Sequence, residues 1–359
     1  IGRRTTNWLH AAGLTIILSV AAPLSWAATY YVSPSGNDSN PGTQNSPWRT
    51  IGKAAAAMVA DDTTYVRAGT YREYVSLNRS GTSSARITLE AYAGERAILD
   101  GAGGPAPKSN FWTNPAIIHI RASYVTVRGL ELTTATGSDG IQSEANNRGV
   151  VLDRLTIHDT YGGGIRLYQN HGAVVSNCHV YNTISGGNAD CISVGGDSSG
   201  SSGGHIFRNN VVHDCSDDGL DMWYGINNTV DNNTAFRTGH TGGDGNGFKL
   251  GPPGGNTVRN NIAYGNYRRG FDGNGGSGNQ LSSNIAFQNP VNFRDNLGTI
   301  DASNRAVDPL FASIDPNSPD FLRLSASSPA RNAGVNLYAQ GVTTDQVGSN
   351  ILRVITPSA

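Results

Sequence analysis

Several acidic residues and one lysine stand in the middle of the sequence at places where they could do chemistry. Asp217, Asp218 and Asp221 fall within one short run, Asp190 precedes them and Lys249 follows. Converging carboxylates repel one another unless a cation lies among them, and Ca²⁺ accepts roughly 6–8 oxygen ligands in flexible geometry. A nearby amine is a candidate base. These residue types predict a calcium site made of the four aspartates, with Lys249 beside it.

Simpler explanations of the same residues stay open. Asp221 and Lys249 alone would form an exposed cross-strand ion pair, which contributes only about 0.2–1 kcal/mol. The remaining aspartates would then merely cap bends in the chain. Zinc is disfavoured because no cluster of histidine and cysteine residues accompanies the aspartates.

A short repeat, which runs from about residue 124 to residue 290, sets the spacing of these residues. In each copy a bend residue precedes an apolar–polar–apolar triplet, and successive copies are 23–28 residues apart. Because side chains alternate across a strand, the apolar members should point inward and the middle members outward. Asp190 and Asp218 should share one bend position on consecutive coils. The outward row consists of Gln142, Arg166, Ser193, Asp221, Lys249 and Asp272.

A second strand pattern lies between the triplets, and five of its six copies begin with asparagine. Stacked asparagines can hydrogen-bond their equivalents one coil away, so the pattern predicts an asparagine ladder. The copies begin at Arg154, Asn177, Asn210, Asn233, Asn261 and Asn284. The same alignment places His213 in the core rather than at a catalytic site. The predicted inward column is Ile157, Val180, His213, Phe236, Tyr264 and Phe287.

Two strand patterns per repeat, separated by Gly, Asn and Asp turns, predict an all-β fold, a right-handed parallel β-helix. Such coils bury their apolar sides by stacking, with strands about 4.8 Å apart. One helix is predicted, Thr50–Ala60, which would cover the open N-terminal end. Two long turns, Asn182–Asp190 and Thr238–Asn246, would wall a groove around the acidic cluster, and the insertion Gly195–Gly204 would extend it.

Composition and the N-terminal residues narrow the class of protein. The formal net charge is −1 over 359 residues, whereas a nucleic-acid-binding protein normally carries a basic excess. Residues 1–28 have the pattern of an export signal: Arg3 and Arg4, the apolar run Ala11–Leu24, and then Ser25-Trp26-Ala27. That run is shorter than the roughly 20 residues that span a bilayer. A secreted or periplasmic protein with no membrane anchor in its mature form is therefore expected.

The mature chain, residues 29–359, is predicted to be a single domain. Residues 29–123 would form the N-terminal cap and first coils, 124–300 the regular coils, and 301–359 a C-terminal segment of loops and short strands packed along the side. Nothing implies an oligomer, so a monomer is expected. Cys178, Cys191 and Cys215 lack metal-type spacing, and their odd number leaves at least one unpaired. Buried thiols are the expectation, although one disulfide of unspecified pairing is possible.

The sequence also resembles the polysaccharide lyase family 9 pectate lyases over most of the mature chain. Five N-terminal segments match but also occur in other secreted β-helix proteins: Tyr30-Tyr31-Val32-Ser33, Gly36-Asn37-Asp38, Gly42-Thr43, Pro47-Trp48-Arg49-Thr50-Ile51 and Val66-Arg67-Ala68-Gly69-Thr70-Tyr71. The more specific match comprises Asp190, the run Asp217-Asp218-Gly219-Leu220-Asp221 and the run Gly243–Gly251.

This resemblance implies calcium-dependent cleavage of polygalacturonate by β-elimination. The matching aspartates would bind Ca²⁺, and Lys249 would remove the C5 proton to give 4,5-unsaturated products. Calcium would lower the pKa of Lys249 while Asp221 would raise it. Arginine suits bidentate contact with substrate carboxylates, although each candidate could equally be a solvated surface residue or a bend residue. The substrate-binding candidates are Arg268, Arg269, Asn246 and Arg166, with Arg237 as a further one.

Three other functions are compatible with these residues. A β-helix hydrolase would use two carboxylates as acid and base without a metal. A lyase or epimerase acting on another polyuronide, such as alginate, would share the abstraction of the C5 proton. A surface solenoid would bind structural calcium without catalysis.

Overall fold

The computed structural model describes residue 2 and residues 27–108, 110–196 and 202–338. Nearly all of the predicted export segment, 1–28, lies outside these ranges, as does 339–359, so the predicted domain limits stay predictions. Within the described ranges, successive coils stack on one another, and their strands form three long parallel sheets. This arrangement confirms the parallel β-helix. No helix in this part of the chain is long and apolar enough to cross a membrane.

Within these ranges, each sheet takes one short strand from nearly every coil. Sheet 1 comprises Thr29–Val32, Thr63–Val66, Ile87–Ala91, Val125–Arg128, Val151–Asp153, Val174–Ser176, Ile206–Arg208, Thr229–Asp231, Thr257–Arg259, Gln280–Ser282 and Thr299–Ile300. Sheet 2 comprises Val75–Leu77, Ile118–Ile120, Ile141–Ser143, Ile165–Tyr168, Ile192–Gly195, Leu220–Asp221, Asn246–Lys249, Arg269–Asp272 and Val291–Phe293. Sheet 3 comprises Gly69–Tyr71, Ala97–Asp100, Glu131–Ala135, Thr156–Thr160, His179–Thr183, Val211–His213, Thr234–Phe236, Ile262–Tyr264 and Ile285–Phe287. A two-stranded sheet pairs Ser202–Gly203 with Gly225–Ile226.

Sheet 2 contains the predicted triplets, and its register confirms them. Gln142 pairs with Arg166, Arg166 with Ser193, and so on through Lys249 and Asp272. The apolar residues that precede each member of this row are fully buried: Ile141, Ile165, Ile192, Leu220, Phe248 and Phe271. Alternation across short strands therefore places the apolar side chains in the core and the polar row outside.

The predicted helix is present but shorter than expected, at Ile51–Ala57. Thr50 is its N-cap, because the Thr50 Oγ1 accepts a hydrogen bond from the Lys53 N–H at 3.1 Å. The helix ends where Met58 adopts an extended ψ of 138°. It packs against Val75–Leu77 and Thr29–Val32, which are the terminal strands of sheets 2 and 1. A short 3₁₀ helix follows at Phe111–Thr113.

An asparagine ladder is present, but its register differs from the prediction. Each amide donates to the Oδ1 of the next, at 2.8–3.0 Å, through Asn210, Asn233, Asn261, Asn284 and Asn304. Asn177 is not a member, because it lies beside Asn209 and its neighbour Cys178 donates its N–H to Asn210. The coils before Asn210 are therefore offset by one residue from the predicted alignment.

The same offset corrects the predicted inward column. Val180 pairs with Val212, while His213 pairs with Tyr181 and Phe236 on the outward face of sheet 3. A one-residue slip moves side chains to the other face of a strand, so the residues in the core of the coils are Val212 and Ala235. His213, Phe236, Tyr264 and Phe287 therefore lie outside the core of the coils.

The C-terminal segment covers part of this outward face. Phe321 and Leu322 pack against Phe236, and Phe311 contacts Tyr264. His213 is buried beneath this cover. The described part of the segment thus lies along the side of the solenoid.

The expectation of three buried thiols is wrong for two of them. Cys191 and Cys215 form a disulfide with their α-carbons 5.4 Å apart, while Cys178 is a buried free thiol. Coiling brings Cys191 and Cys215 together from consecutive coils, which spacing along the chain alone does not reveal. The disulfide joins the residue after Asp190 to the segment just before Asp217.

Candidate active site

Asp221 and Lys249 are adjacent in the outward row of sheet 2, as the triplets predict. Their strands pair directly, and the Lys249 Nζ lies 3.2 Å from the Asp221 Oδ2. Both side chains are largely shielded from solvent although they face outward. The pair is therefore a shielded one, not the exposed pair of the simpler explanation.

The bend position before the triplet carries a second column of polar residues. The Asp218 N–H donates to the Asp190 Oδ1 at 3.2 Å, and the Asn246 N–H donates to the Asp218 Oδ1 at 2.7 Å. Asn246 then pairs with Arg269 in the following coil. Consecutive coils thus stack Asp190, Asp218, Asn246 and Arg269, which confirms that Asp190 and Asp218 share one position.

Asp190, Asp217 and Asp218 form a buried cluster, in which one oxygen of each carboxylate lies within 4.8 Å of the others. Burial, followed by repulsion from the neighbouring aspartates, raises the pKa of Asp190 and of Asp218 well above the usual range. Asn246 holds Asp218 through its Nδ2 and leaves a buried Oδ1 with no hydrogen-bond partner among the described residues. Such a set of hard oxygen donors fits a divalent cation such as Ca²⁺.

Asp221 lies outside this cluster of three and contacts Lys249, as Asp218 does from within the cluster. Burial raises the pKa of Asp221 to about 6, although Lys249 opposes the shift. The predicted set of four aspartates therefore divides into a cluster of three and a partner of Lys249.

Lys249 is surrounded by carboxylates. Its Nζ lies 3.0 Å from the Asp218 Oδ2 and 3.2 Å from the Asp244 Oδ2, in addition to Asp221. Burial alone would lower the pKa of Lys249, but the neighbouring aspartates outweigh it and raise the pKa. The indole of Trp223, which is partly exposed, covers the amine at 5.3 Å from the ring centroid. Lys249 is thus held as an ammonium ion against the acidic cluster.

Asp217 connects the two long turns that were expected to wall a groove. Its Oδ2 accepts the Asn188 N–H from the first turn at 2.6 Å, and its Oδ1 accepts the Asp244 N–H from the second. Both turns therefore converge on the acidic cluster.

Comparisons with known proteins agree with this architecture. Residues 30–304 match the family described as "Pel9A-like, right handed beta helix region". The chain belongs to this Pel9A-like family. This match confirms the resemblance to family 9 pectate lyases that the sequence motifs indicate.

One relative in sequence and two solved structures are similar to this chain. The chain is 32% identical over 273 residues to "Pectate lyase PEL9" of Emericella nidulans, a match that covers 66% of this chain and 65% of the relative. The chain thus spans less than two thirds of that relative's length. The crystal structure of pectate lyase Pel9A superposes with a TM-score of 0.68 at 24% identity, covering 86% of this chain and 92% of the other. A structure named "Rhamnogalacturonan lyase" superposes with a TM-score of 0.67 at 22% identity, covering 83% of this chain and 96% of the other.

The arginines predicted to bind substrate have different surroundings in this Pel9A-like chain. Arg268 is half exposed and contacts Asp244, so it borders the site. Arg269 is largely shielded and pairs with Asp272 at 2.8 Å. Arg166 pairs with the buried Asp139 at 3.0 Å. Of these three, Arg268 is the most accessible to a ligand.

Two further substrate-binding candidates are held by other residues of this chain. Asn246 is fully buried and donates its Nδ2 to Asp218, an arrangement that positions the acidic cluster. Arg237 binds Asp214 on sheet 3 and the Ile314 carbonyl of the C-terminal segment, away from sheet 2. Sequence reasoning overlooked Asp244, although it lies in the run Gly243–Gly251 that carries the family resemblance.

Proposed function

We propose that this protein is a polysaccharide lyase that cleaves polygalacturonate by calcium-assisted β-elimination, with Lys249 as the base. The observation that carries the proposal is the position of one amine. The Lys249 Nζ lies 3.0 Å from Asp218, a member of the buried three-aspartate cluster, and belongs to the polar row of sheet 2. The family match supports the same class of reaction.

The reaction needs a base beside an activated C–H bond. The C5 proton of a galacturonate is acidified by the adjacent C6 carboxylate. Lys249 would take this proton at Nζ, and the C5–H electron pair would form the double bond between C4 and C5. The bond from C4 to the glycosidic oxygen would break, and that oxygen would take a proton from water. The products would carry a 4,5-unsaturated end.

Lys249 must be neutral to accept a proton, yet the surrounding carboxylates stabilise its ammonium form. Asp190, Asp217 and Asp218 are the residues that would hold Ca²⁺. When bound, Ca²⁺ supplies positive charge that stabilises the negative charge developing on the substrate carboxylate. Carboxylates committed to a cation stabilise an ammonium ion less, which favours the free amine of Lys249.

The polymeric substrate fits the predicted location of the protein. We propose that residues 1–28 direct export and that the mature chain acts outside the cytoplasm as a monomer. N-terminal sequencing of the secreted protein and its sedimentation would test both statements.

The deciding experiment measures cleavage of polygalacturonate with and without calcium. We expect an increase in ultraviolet absorbance from unsaturated products, and loss of that signal with a chelator. A metal-independent release of saturated sugars would instead support the hydrolase alternative. Lys249→Ala should abolish cleavage with the fold retained, while Lys108→Ala is the matched control because Lys108 is an exposed lysine. Parallel assays with alginate and rhamnogalacturonan would test the choice of polyuronide.

A further inference from the structure

Asp244 bridges the two cations that border the candidate site. Its Oδ2 lies 3.2 Å from the Lys249 Nζ, and its Oδ1 lies 3.0 Å from the Arg268 Nη1. The other carboxylates around Lys249 are buried, with side-chain exposures of 0% for Asp218 and 9% for Asp221, whereas Asp244 is 46% exposed. Asp244 thus presents its carboxylate to the amine from the solvent side.

The turn that carries Asp244 is anchored through its backbone. The Asp244 N–H donates to Asp217, and the Gly243 N–H donates to the Ser216 carbonyl at 3.2 Å. The exposed side chain of Asp244 can therefore rotate away from Lys249 and Arg268 while the turn stays in place. Its two ion pairs are partly exposed, and such pairs are easily exchanged for equivalent ones.

A uronate carboxylate offers the same chemistry as the side chain of Asp244. Arg268 could bind it through two parallel hydrogen bonds, and Lys249 could contact its other side. In a uronate, the C5 proton lies next to the carboxylate. A carboxylate held between Arg268 and Lys249 would therefore bring that proton close to the Lys249 Nζ.

We infer that the Asp244 carboxylate occupies the subsite of a substrate carboxylate, and that the substrate displaces it from Lys249 and Arg268. This inference rests on the proposed function for the identity of the ligand. Its consequence is that Asp244 competes with substrate: its removal should improve binding without slowing the chemical step. A residue that positioned Lys249 during catalysis would have the opposite effect.

The first test compares Asp244→Asn with the wild type on polygalacturonate. We expect KM to fall by about two- to tenfold, the range set by losing two partly exposed ion pairs, with kcat changed by less than about twofold. Asp320→Asn is the matched control, because Asp320 is half exposed, pairs with Arg323 at 2.7 Å and changes the net charge equally. It should leave KM unchanged. A fall in kcat for Asp244→Asn would overturn the inference.

The second test is independent of cleavage. Galacturonate, which has no glycosidic bond to break, and its uncharged methyl ester are titrated against each variant. Galacturonate should bind more tightly to Asp244→Asn and more weakly to Arg268→Gln than to the wild type. In the double variant Asp244→Asn/Arg268→Gln, the gain in galacturonate affinity that Asp244→Asn produces should be smaller. The methyl ester should bind every variant more weakly than galacturonate does.

The two tests separate the inference from the proposed function. If the wild type cleaves no polysaccharide but galacturonate binding follows this order, the lyase proposal fails and the carboxylate subsite stands. If the wild type cleaves polygalacturonate but Asp244→Asn binds galacturonate no better, the subsite assignment fails and the lyase proposal stands.

Discussion

The Nζ of Lys249 lies 3.0 Å from the Oδ2 of Asp218, so one carboxylate serves both the amine and the buried three-aspartate cluster. The ammonium ion and a divalent cation would compete for the charge of Asp218. The acid–base state of Lys249 and the affinity for calcium are therefore coupled through this contact.

Lys249→Met is expected to bind calcium more tightly than the wild type, by about tenfold, because a competing positive charge is removed. Cleavage should fall by roughly 10²–10⁴-fold, as expected for a general base. Calorimetric titration with calcium at neutral pH measures the first effect, and Lys108→Met is its control. Equal or weaker calcium affinity in Lys249→Met would contradict the coupling.

Asp217→Asn is expected to weaken calcium binding and to loosen both long turns. The side chain of Asp217 contributes to the acidic cluster and accepts the N–H groups of Asn188 and Asp244. Asp190→Asn is the matched variant, because Asp190 belongs to the same cluster but its side chain accepts the Asp218 N–H and not an N–H of either long turn. Calcium titration should show a lower calcium affinity in both variants than in the wild type. Limited proteolysis within 182–190 and 238–246 should accelerate in Asp217→Asn, and equal protection of the two variants would argue against the linking role.

The outward row of sheet 2 could be predicted from the sequence because each triplet has the same length and alternation. The position of Lys249 beside Asp221 follows from that pattern. The two long turns that converge on the acidic cluster could also be located in advance, since they interrupt an otherwise regular repeat. The ion pairs of Asp244 and Arg268 could not be predicted in this way, because side chains on turns have no fixed period.

The errors arose where the repeat carries two equally plausible alignments. Asn209 and Asn210 are adjacent, so aligning Asn177 with either gives a reasonable pattern, and the coils adopt the pairing with Asn209. The disulfide between Cys191 and Cys215 depends on the stacking of consecutive coils. The strands of sheet 1 belong to neither predicted pattern, although in several of them buried residues alternate with partly buried ones.

Asn233→Ala is expected to lower the free energy of unfolding substantially. The buried Asn233 accepts from Asn210 and donates its Nδ2 to Asn261 at 3.0 Å and to the Phe207 carbonyl at 3.0 Å. Each buried polar group left unsatisfied costs about 1–3 kcal/mol. Asn317→Ala, in an exposed turn, should change stability by less than about 0.5 kcal/mol. Urea denaturation compares the two, and similar midpoints would show that the ladder adds little.

Acid should destabilise the fold through buried neutral histidines, of which His205 is the clearest case. Burial, reinforced by His171, lowers the pKa of His205 to about 3, and its Nδ1 accepts the Ala173 N–H at 3.0 Å. A histidine in the unfolded chain has a pKa near 6.5, so the unfolded state binds the proton first as the pH falls. The stabilisation is complete above about pH 6.5 and is lost towards pH 3, by about 1.4 kcal/mol per pH unit.

His205→Asn should remove that part of the acid sensitivity while keeping the fold. The His205 N–H donates to the Asn228 Oδ1, and Asn228 donates in the same way to Asn256, so His205 stands at the next position of an asparagine ladder. An amide oxygen there could accept the Ala173 N–H, as Asn210 accepts the N–H of Cys178. Urea denaturation at pH 7.5 and 4.5 measures the difference for each protein. A loss of stability as large in His205→Asn as in the wild type would exclude His205 as its source.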